Sequence, residues 1–66
     1  MKKGDLVKIK KTHPFVSFPN ELRRVEAGAV GIFAGFDKET NLSSIFVDGQ
    51  ISKWLKEIKR DYWEKL

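Results

Sequence analysis

Cysteine is absent from this chain, and histidine and methionine occur once each. Without thiols, neither a disulfide nor a thiolate metal site can stabilise the fold. A nucleophile activated by histidine would have to use His13, which precedes Pro14 and is expected in an exposed loop. The spacing of the carboxylates matches no metal-binding loop. The sequence therefore predicts a protein that is not an enzyme and that holds no metal and no cofactor.

Long apolar runs are also missing. Met1-Lys2-Lys3 is followed at once by Gly4-Asp5, and no stretch is long enough for a signal peptide or a membrane span. We therefore expect a cytoplasmic protein without a membrane partner. The 66 residues allow one domain, 1–66, with a thin core that is marginally stable by itself.

Charge is distributed unevenly along the chain, whose formal net charge is +4. Residues 1–24 contain seven Lys or Arg and two carboxylates, whereas residues 25–49 contain one Lys and four carboxylates. The last segment, 50–66, is again basic. A basic surface attracts anionic partners, which here means a nucleic acid or an acidic protein.

Closely spaced β-rich runs dominate the middle of the chain. Ala29–Phe36 and Leu42–Val47 flank a polar segment suited to a turn, and Asp48-Gly49 is a second turn signal before the run Gln50–Leu55. Near the start, Leu6–Lys10 alternates apolar and basic residues, as in a half-buried strand. These runs predict a mainly β fold, a small antiparallel barrel of about five strands.

The register of the central hairpin follows if Asp37 lies opposite Leu42. Ile32 would then face Val47, and Phe33 would face Phe46 as an aromatic pair on the outer surface. Glycine at positions 31 and 35 indicates tight curvature or the close approach of another segment. The predicted core consists of Val7, Ile9, Val30, Ile32, Ala34, Ile45, Val47 and Trp54.

Two segments are less regular. Residues 11–27 contain two prolines and are predicted to be mainly a long loop. For the C-terminal tail, we expect a strand to about Leu55 and then a short helical turn from about Lys56, which would close one end of the barrel. The alternative is a single amphipathic helix from Ser52 to Leu66, because apolar residues of the tail also recur at helical spacing.

The order of these motifs resembles the SH3-like small barrels, among them the KOW-type modules of ribosomal and transcription proteins. The resemblance rests on Gly4-Asp5-Leu6-Val7, a long connection, Val30-Gly31-Ile32, the hairpin to Val47-Asp48-Gly49 and a strand containing Trp54. This group of small barrels also includes small uncharacterised phage and cyanophage proteins. It includes, in addition, barrel subunits of photosynthetic complexes that dock acidic electron carriers. The resemblance implies a binding module, which would act in the host cytoplasm if phage-encoded, but it leaves the ligand undecided.

Two ligand classes compete. Protein binding is favoured by apolar residues in a proline-bounded loop and at the tail, namely Phe15, Val16, Phe18 and Trp63. These residues could anchor an interface or a weak homodimer. Alternatively, they could simply enlarge the core. Nucleic-acid binding is the alternative, through the basic residues Lys8, Lys10, Lys11, Arg23 and Arg24. Such residues could instead protect an edge strand from aggregation.

Overall fold

The computed structural model describes residues 1–55 and 59–66 as one antiparallel sheet. The elements are β1 (Leu6–Ile9), β2 (His13–Ser17), β3 (Leu22–Val25), β4 (Val30–Asp37), β5 (Leu42–Val47), β6 (Gln50–Leu55), α1 (Lys59–Tyr62) and β7 (Trp63–Lys65). The strands follow one another in the sheet as β3-β2-β6-β5-β4-β1-β7. The prediction of a mainly β, antiparallel protein is confirmed. The expected number of about five strands is wrong, because the sheet has seven.

Both turns predicted in the middle of the chain are present. Val47 pairs with Gln50, so Asp48 and Gly49 form a two-residue turn in which both residues have positive φ (53° and 75°). This geometry is that of the hairpin turn for which Asp-Gly is favoured. At the other turn Asp37 pairs with Leu42, as predicted.

A β-bulge separates this second turn from the rest of the β4–β5 hairpin and reverses the predicted face of β4. The register shifts between Phe33 and Gly35, so that Phe33 pairs with Ile45 and Ile32 pairs with Phe46. One extra residue in a strand moves every side chain beyond it to the other face. Phe33 is therefore buried, whereas Ile32 and Phe46 form a pair on the outer surface.

The predicted core is correct on three strands, β1, β5 and β6, and wrong on β4. Val7, Ile9, Ile45, Val47 and Trp54 are buried as expected, but Val30 and Ile32 are exposed and Ala34 is half-buried. The sequence interpretation missed five further members of the core: Val16, Phe18, Val25, Phe33 and Trp63. Gly31 takes the interior position of β4 where a Cβ would lie 2.7 Å from the carbonyl oxygen of Phe46, so the close approach of a neighbouring strand requires glycine there.

Residues 11–27 are not mainly loop. They contain the hairpin of β2 and β3, in which Ser17 pairs with Leu22 and the Phe18 amide donates to the Glu21 carbonyl at 2.8 Å. The pre-proline residue His13 belongs to β2, because the restriction before proline favours an extended backbone, which suits a strand as well as a loop. The alternation of Val16 and Phe18, both buried, is the strand signal that the prolines obscured.

The C-terminal tail ends as a strand. A single helical turn, α1, is followed by β7, which pairs with β1 through Val7↔Lys65, Lys8↔Glu64 and Ile9↔Trp63. The prediction of a strand to about Leu55 is confirmed, but a helical turn does not end the tail as predicted, because β7 follows α1. The alternative helix from Ser52 to Leu66 is wrong, because β6 extends to Leu55 and β7 ends the tail; residues 56–58, where the predicted turn begins, lie outside the described part. Within the described residues, no helix has the length and apolar character needed to cross a membrane.

The sheet curls around one core without closing into a hydrogen-bonded barrel. Its edges are β3 and β7 in the described part of the chain. Aromatic rings bridge the interior instead: Trp63 on β7 lies 5.6 Å from Trp54 on β6 and 6.2 Å from Phe33 on β4, measured between ring centroids. Residues from all seven strands contribute to this single cluster.

Candidate protein-binding groove

A concave groove of about 210 Å³ opens between β2 and β6. It is lined mainly by apolar side chains of these two strands and of the strands beside them: His13, Phe15, Val16, Ser17, Leu22, Leu42, Lys53, Trp54 and Leu55. Concave, largely apolar surfaces with a few polar groups are the usual form of a binding site.

The groove exists because β2 and β6 separate after a single pair of residues. Ser17 pairs with Lys53, and the ladder then ends. Pro14 has no N–H to offer to β6. The N–H of Phe15 donates to Nδ1 of His13, two residues earlier in the same strand, at 3.2 Å. The β2–β3 register also shifts between His13 and Val16, which is the signature of a bulge. Val16 packs into the core, so the preceding residue Phe15 points to the opposite face and lies on the rim of the groove.

Three apolar side chains on the rim are unusually exposed. Phe15 is 70%, Leu22 65% and Leu55 54% exposed. Single exposed apolar residues are common, but a contiguous group around a concave surface is typical of an interaction site. The rim therefore presents an apolar surface that the fold itself leaves uncovered.

The floor of the groove is held in place by packed rings. The His13 ring lies 5.5 Å from Trp54 and 5.0 Å from Tyr62. Trp54 Nε1 donates to Ser52 Oγ at 2.8 Å, and this hydroxyl donates in turn to the Ile45 carbonyl at 2.7 Å. His13 is thus a half-buried strand residue, which corrects the expectation of an exposed loop histidine.

Lys53 brings a positive charge to the groove. Its Nζ donates to Ser44 Oγ at 2.8 Å. Among the residues that the structure describes, no carboxylate lines the groove, and Lys53 takes part in no ion pair. A lysine ammonium has three N–H donors, so besides Ser44 it can also donate to a ligand.

The four residues predicted to bind a protein do not lie together on the surface. Phe15 is exposed at the groove, and Val16 contributes to the groove lining while being almost fully buried. Phe18 and Trp63 are buried in the core. The exposure that an interface anchor requires is thus found at Phe15 alone, and the structure corrects the expected exposure of Val16, Phe18 and Trp63.

The five predicted nucleic-acid contacts divide into two groups. Lys8, Lys10 and Lys11 lie on or just after β1 and are exposed. The two arginines lie on β3, and four strands separate β3 from β1 in the order of the sheet. Arg23 is paired with Asp48 at 3.5 Å and stacks over the Phe18 ring, and Arg24 is paired with Glu26. The arginines are thus engaged by carboxylates, whereas the three lysines have no ion pair within the described residues, and Lys11 Nζ lies over the Tyr62 ring, 5.4 Å from its centroid.

A second apolar surface crosses the outer face of the sheet. Cross-strand pairs place Leu6, Ile32, Phe46 and Ile51 in one row over four strands. The first three are exposed and Ile51 is half-buried. This row lies on the convex side of a curled sheet, so it offers a ligand less enclosure than the groove does.

Sequence reasoning missed most of the groove. Leu22, Leu42, Lys53 and Leu55 come from three strands, and for the last three the only sequence signal was an outward position in an alternating strand. The described residues hold no group of three or more His, Cys, Asp or Glu that could bind a metal ion. Comparisons of the chain with models of protein families, with curated proteins and with solved structures gave no match.

Proposed function

We propose that this protein is a non-catalytic binding module that holds a segment of a protein partner in the groove between β2 and β6. The observation that carries the proposal is Phe15, a phenylalanine 70% exposed on the rim of a concave apolar surface. Interfaces draw most of their binding energy from a few such aromatic anchors.

The burial energy of this anchor reaches up to the scale at which binding hot spots begin, about 2 kcal/mol. Complete burial of a phenylalanine is worth about 1.5–3 kcal/mol, so covering the exposed part of Phe15 would contribute roughly 1–2 kcal/mol. Leu22 and Leu55 lie on the same rim and would be covered by the same partner. The packed rings of His13 and Trp54 keep the floor rigid, which reduces the entropy lost on binding.

We further propose that the fold is a variant of the SH3-like small barrel. In support, β1 pairs with β4 after a long connection, and β4, β5 and β6 follow one another as neighbouring strands. The β2–β3 hairpin would then be an addition within the connection. Members of this family bind proteins or nucleic acids, so the resemblance is compatible with the groove but does not select its ligand.

The first experiment selects binders from a library of random linear peptides displayed on phage, using the full chain as bait. Peptides retained by the wild type should be lost with Phe15→Ser. Phe46→Ser is the matched control, because Phe46 is also an exposed phenylalanine but lies outside the groove lining. Circular dichroism and tryptophan fluorescence should show both variants folded. Retention that survives Phe15→Ser would overturn the proposal.

Nucleic-acid binding is the second candidate, supported by the exposed lysines at positions 8, 10 and 11. Binding through phosphates weakens steeply with salt, whereas an apolar anchor is much less sensitive. A gel shift with RNA or DNA at low salt that disappears in a Lys8→Glu, Lys10→Glu double variant would favour this function. Absence of any shift at low salt would remove it.

A further inference from the structure

The charge beside the groove restricts what can occupy it. Lys53 lines its edge, none of the described residues that line it carries a carboxylate, and the Lys53 ammonium donates to Ser44 Oγ, beside a second depression that Asp37 also lines. A partner that covers the groove removes water from this ammonium, and an unpaired charge taken out of water is costly. An occupant that places a carboxylate on Lys53 avoids that cost and gains a charge-assisted hydrogen bond.

The size of the groove restricts the apolar part of the occupant. At about 210 Å³ it is smaller than the roughly 300–1,000 Å³ of sites for drug-sized molecules. One bulky side chain can enter between Phe15 and Leu55, whereas the Ser17↔Lys53 pair closes the gap between the strands at one end. A narrow cleft between two strands fits an extended segment better than a helix of about 10 Å diameter.

The spacing along β6 connects these two requirements. Lys53 and Leu55 are two residues apart on the same strand, so their side chains point to the same face. An extended ligand has the same period, which brings its residues i and i+2 to one side about 7 Å apart. The ligand carboxylate that meets Lys53 and the ligand apolar side chain that meets Leu55 therefore come from residues i and i+2 of the ligand, with one residue between them.

We propose that the occupant of this groove is an extended peptide segment of a protein partner in which Asp or Glu stands two positions from a bulky apolar residue. This inference rests on the proposed function and adds the chemistry of the partner. Lys53 reads the carboxylate, and the rim formed by Phe15, Leu22 and Leu55 receives the apolar side chain.

The experiment extends the peptide selection to variants of Lys53. Peptides retained by the wild type in a Phe15-dependent manner should be enriched in Asp or Glu at that spacing. Lys53→Glu should replace this preference by Lys or Arg at the same position. Lys8→Glu is the control, because it makes the same change of net charge on β1, away from the groove lining; its selected peptides should match those of the wild type.

A titration then measures the contribution of the charge. A synthetic peptide of the wild-type consensus should bind Lys53→Gln about threefold or more weakly than the wild type, with the difference reduced at high salt. Phe15-dependent peptides without an acidic preference, or with a preference unchanged by Lys53→Glu, would overturn this inference and leave the protein-binding function standing. If no retained peptide depends on Phe15, both proposals fail together.

Discussion

Which face of β4 packs against the core can be tested by comparing neighbouring residues. Phe33 is 6% exposed and lies in the aromatic cluster, whereas Ile32 is 43% exposed and pairs with Phe46 on the outer surface. Without the bulge the assignment would be the reverse. Alanine substitution at the two positions therefore reports the register directly, and Phe46→Ala repeats the chemical change of Phe33→Ala at an exposed site.

The expected effects differ severalfold. Replacing a core phenylalanine by alanine costs about 3–5 kcal/mol, because the cavity adds to the lost burial. At Ile32 nearly half of the residue is already in water and no enclosed cavity is created, so about 1 kcal/mol is expected. A domain of this size has a total stability of about 3–10 kcal/mol. Phe33→Ala should consequently remove most or all of it, whereas Ile32→Ala and Phe46→Ala should remain folded.

Urea titration followed by tryptophan fluorescence measures these differences. Trp54 and Trp63 are both buried, and Trp63 packs against Phe33, so unfolding changes the surroundings of both indoles. With a slope of about 1 kcal/mol per molar urea, Ile32→Ala should lower the midpoint by about 1 M. Phe33→Ala should lower it by about 3 M or leave no folded baseline. Equal midpoints for Ile32→Ala and Phe33→Ala would refute the bulged register.

Three further predictions concern the interior and one surface carboxylate. Gly31→Ala should cost about 1–3 kcal/mol and lower the thermal midpoint, because the added Cβ meets a backbone carbonyl; an unchanged midpoint would contradict this contact. Ser52→Ala should cost about 1–3 kcal/mol in a urea titration at neutral pH, because Trp54 Nε1 loses its buried acceptor; a loss within error would mean that another group replaces it. The backbone N–H of Lys2 is the main cause that holds the pKa of Asp5 below its usual range. The stability that this carboxylate contributes is therefore complete above about pH 4 and lost as the pH falls through the lowered pKa, so acid should destabilise the wild type more than Asp5→Asn. Parallel losses in acid would show that this carboxylate contributes nothing.

Local signals predicted the β5–β6 region well. Leu42–Val47 and Gln50–Leu55 are strands with the predicted bounds, and Asp48-Gly49 is the turn between them. A two-residue Asp-Gly turn determines its own register, because both residues favour positive φ and the pairing continues from the turn. The prediction failed on β4, where the bulge beside Gly35 shifts the register; Gly35 has a φ of 116°, but a glycine alone does not show whether a strand bulges there.

The candidate site was predicted only in part. Phe15 stood out as an apolar residue in a proline-bounded segment, and it is indeed the most exposed phenylalanine of the structure's described residues. Phe18 carried the same signal and is buried. Phe15 and Phe18 are three residues apart, and an odd separation in an extended segment places side chains on opposite faces, so Phe18 faces the core with Val16 whereas Phe15 faces outward. Leu55 and Lys53 joined the site only when β2 was placed beside β6, a pairing between segments distant in sequence.

The sequence by itself determined the β character of this protein, its central turns and the uneven distribution of its charge. These properties depend on local preferences, such as alternation of apolar residues, positive φ at Asp-Gly and the order of Lys and Arg along the chain. The tertiary structure alone decided which aromatic rings are buried, that the arginines of β3 are engaged by carboxylates, and where the groove opens. The reason is physical: burial and pairing depend on contacts between strands remote in sequence, and a shift of one residue in the register exchanges the two faces of a strand.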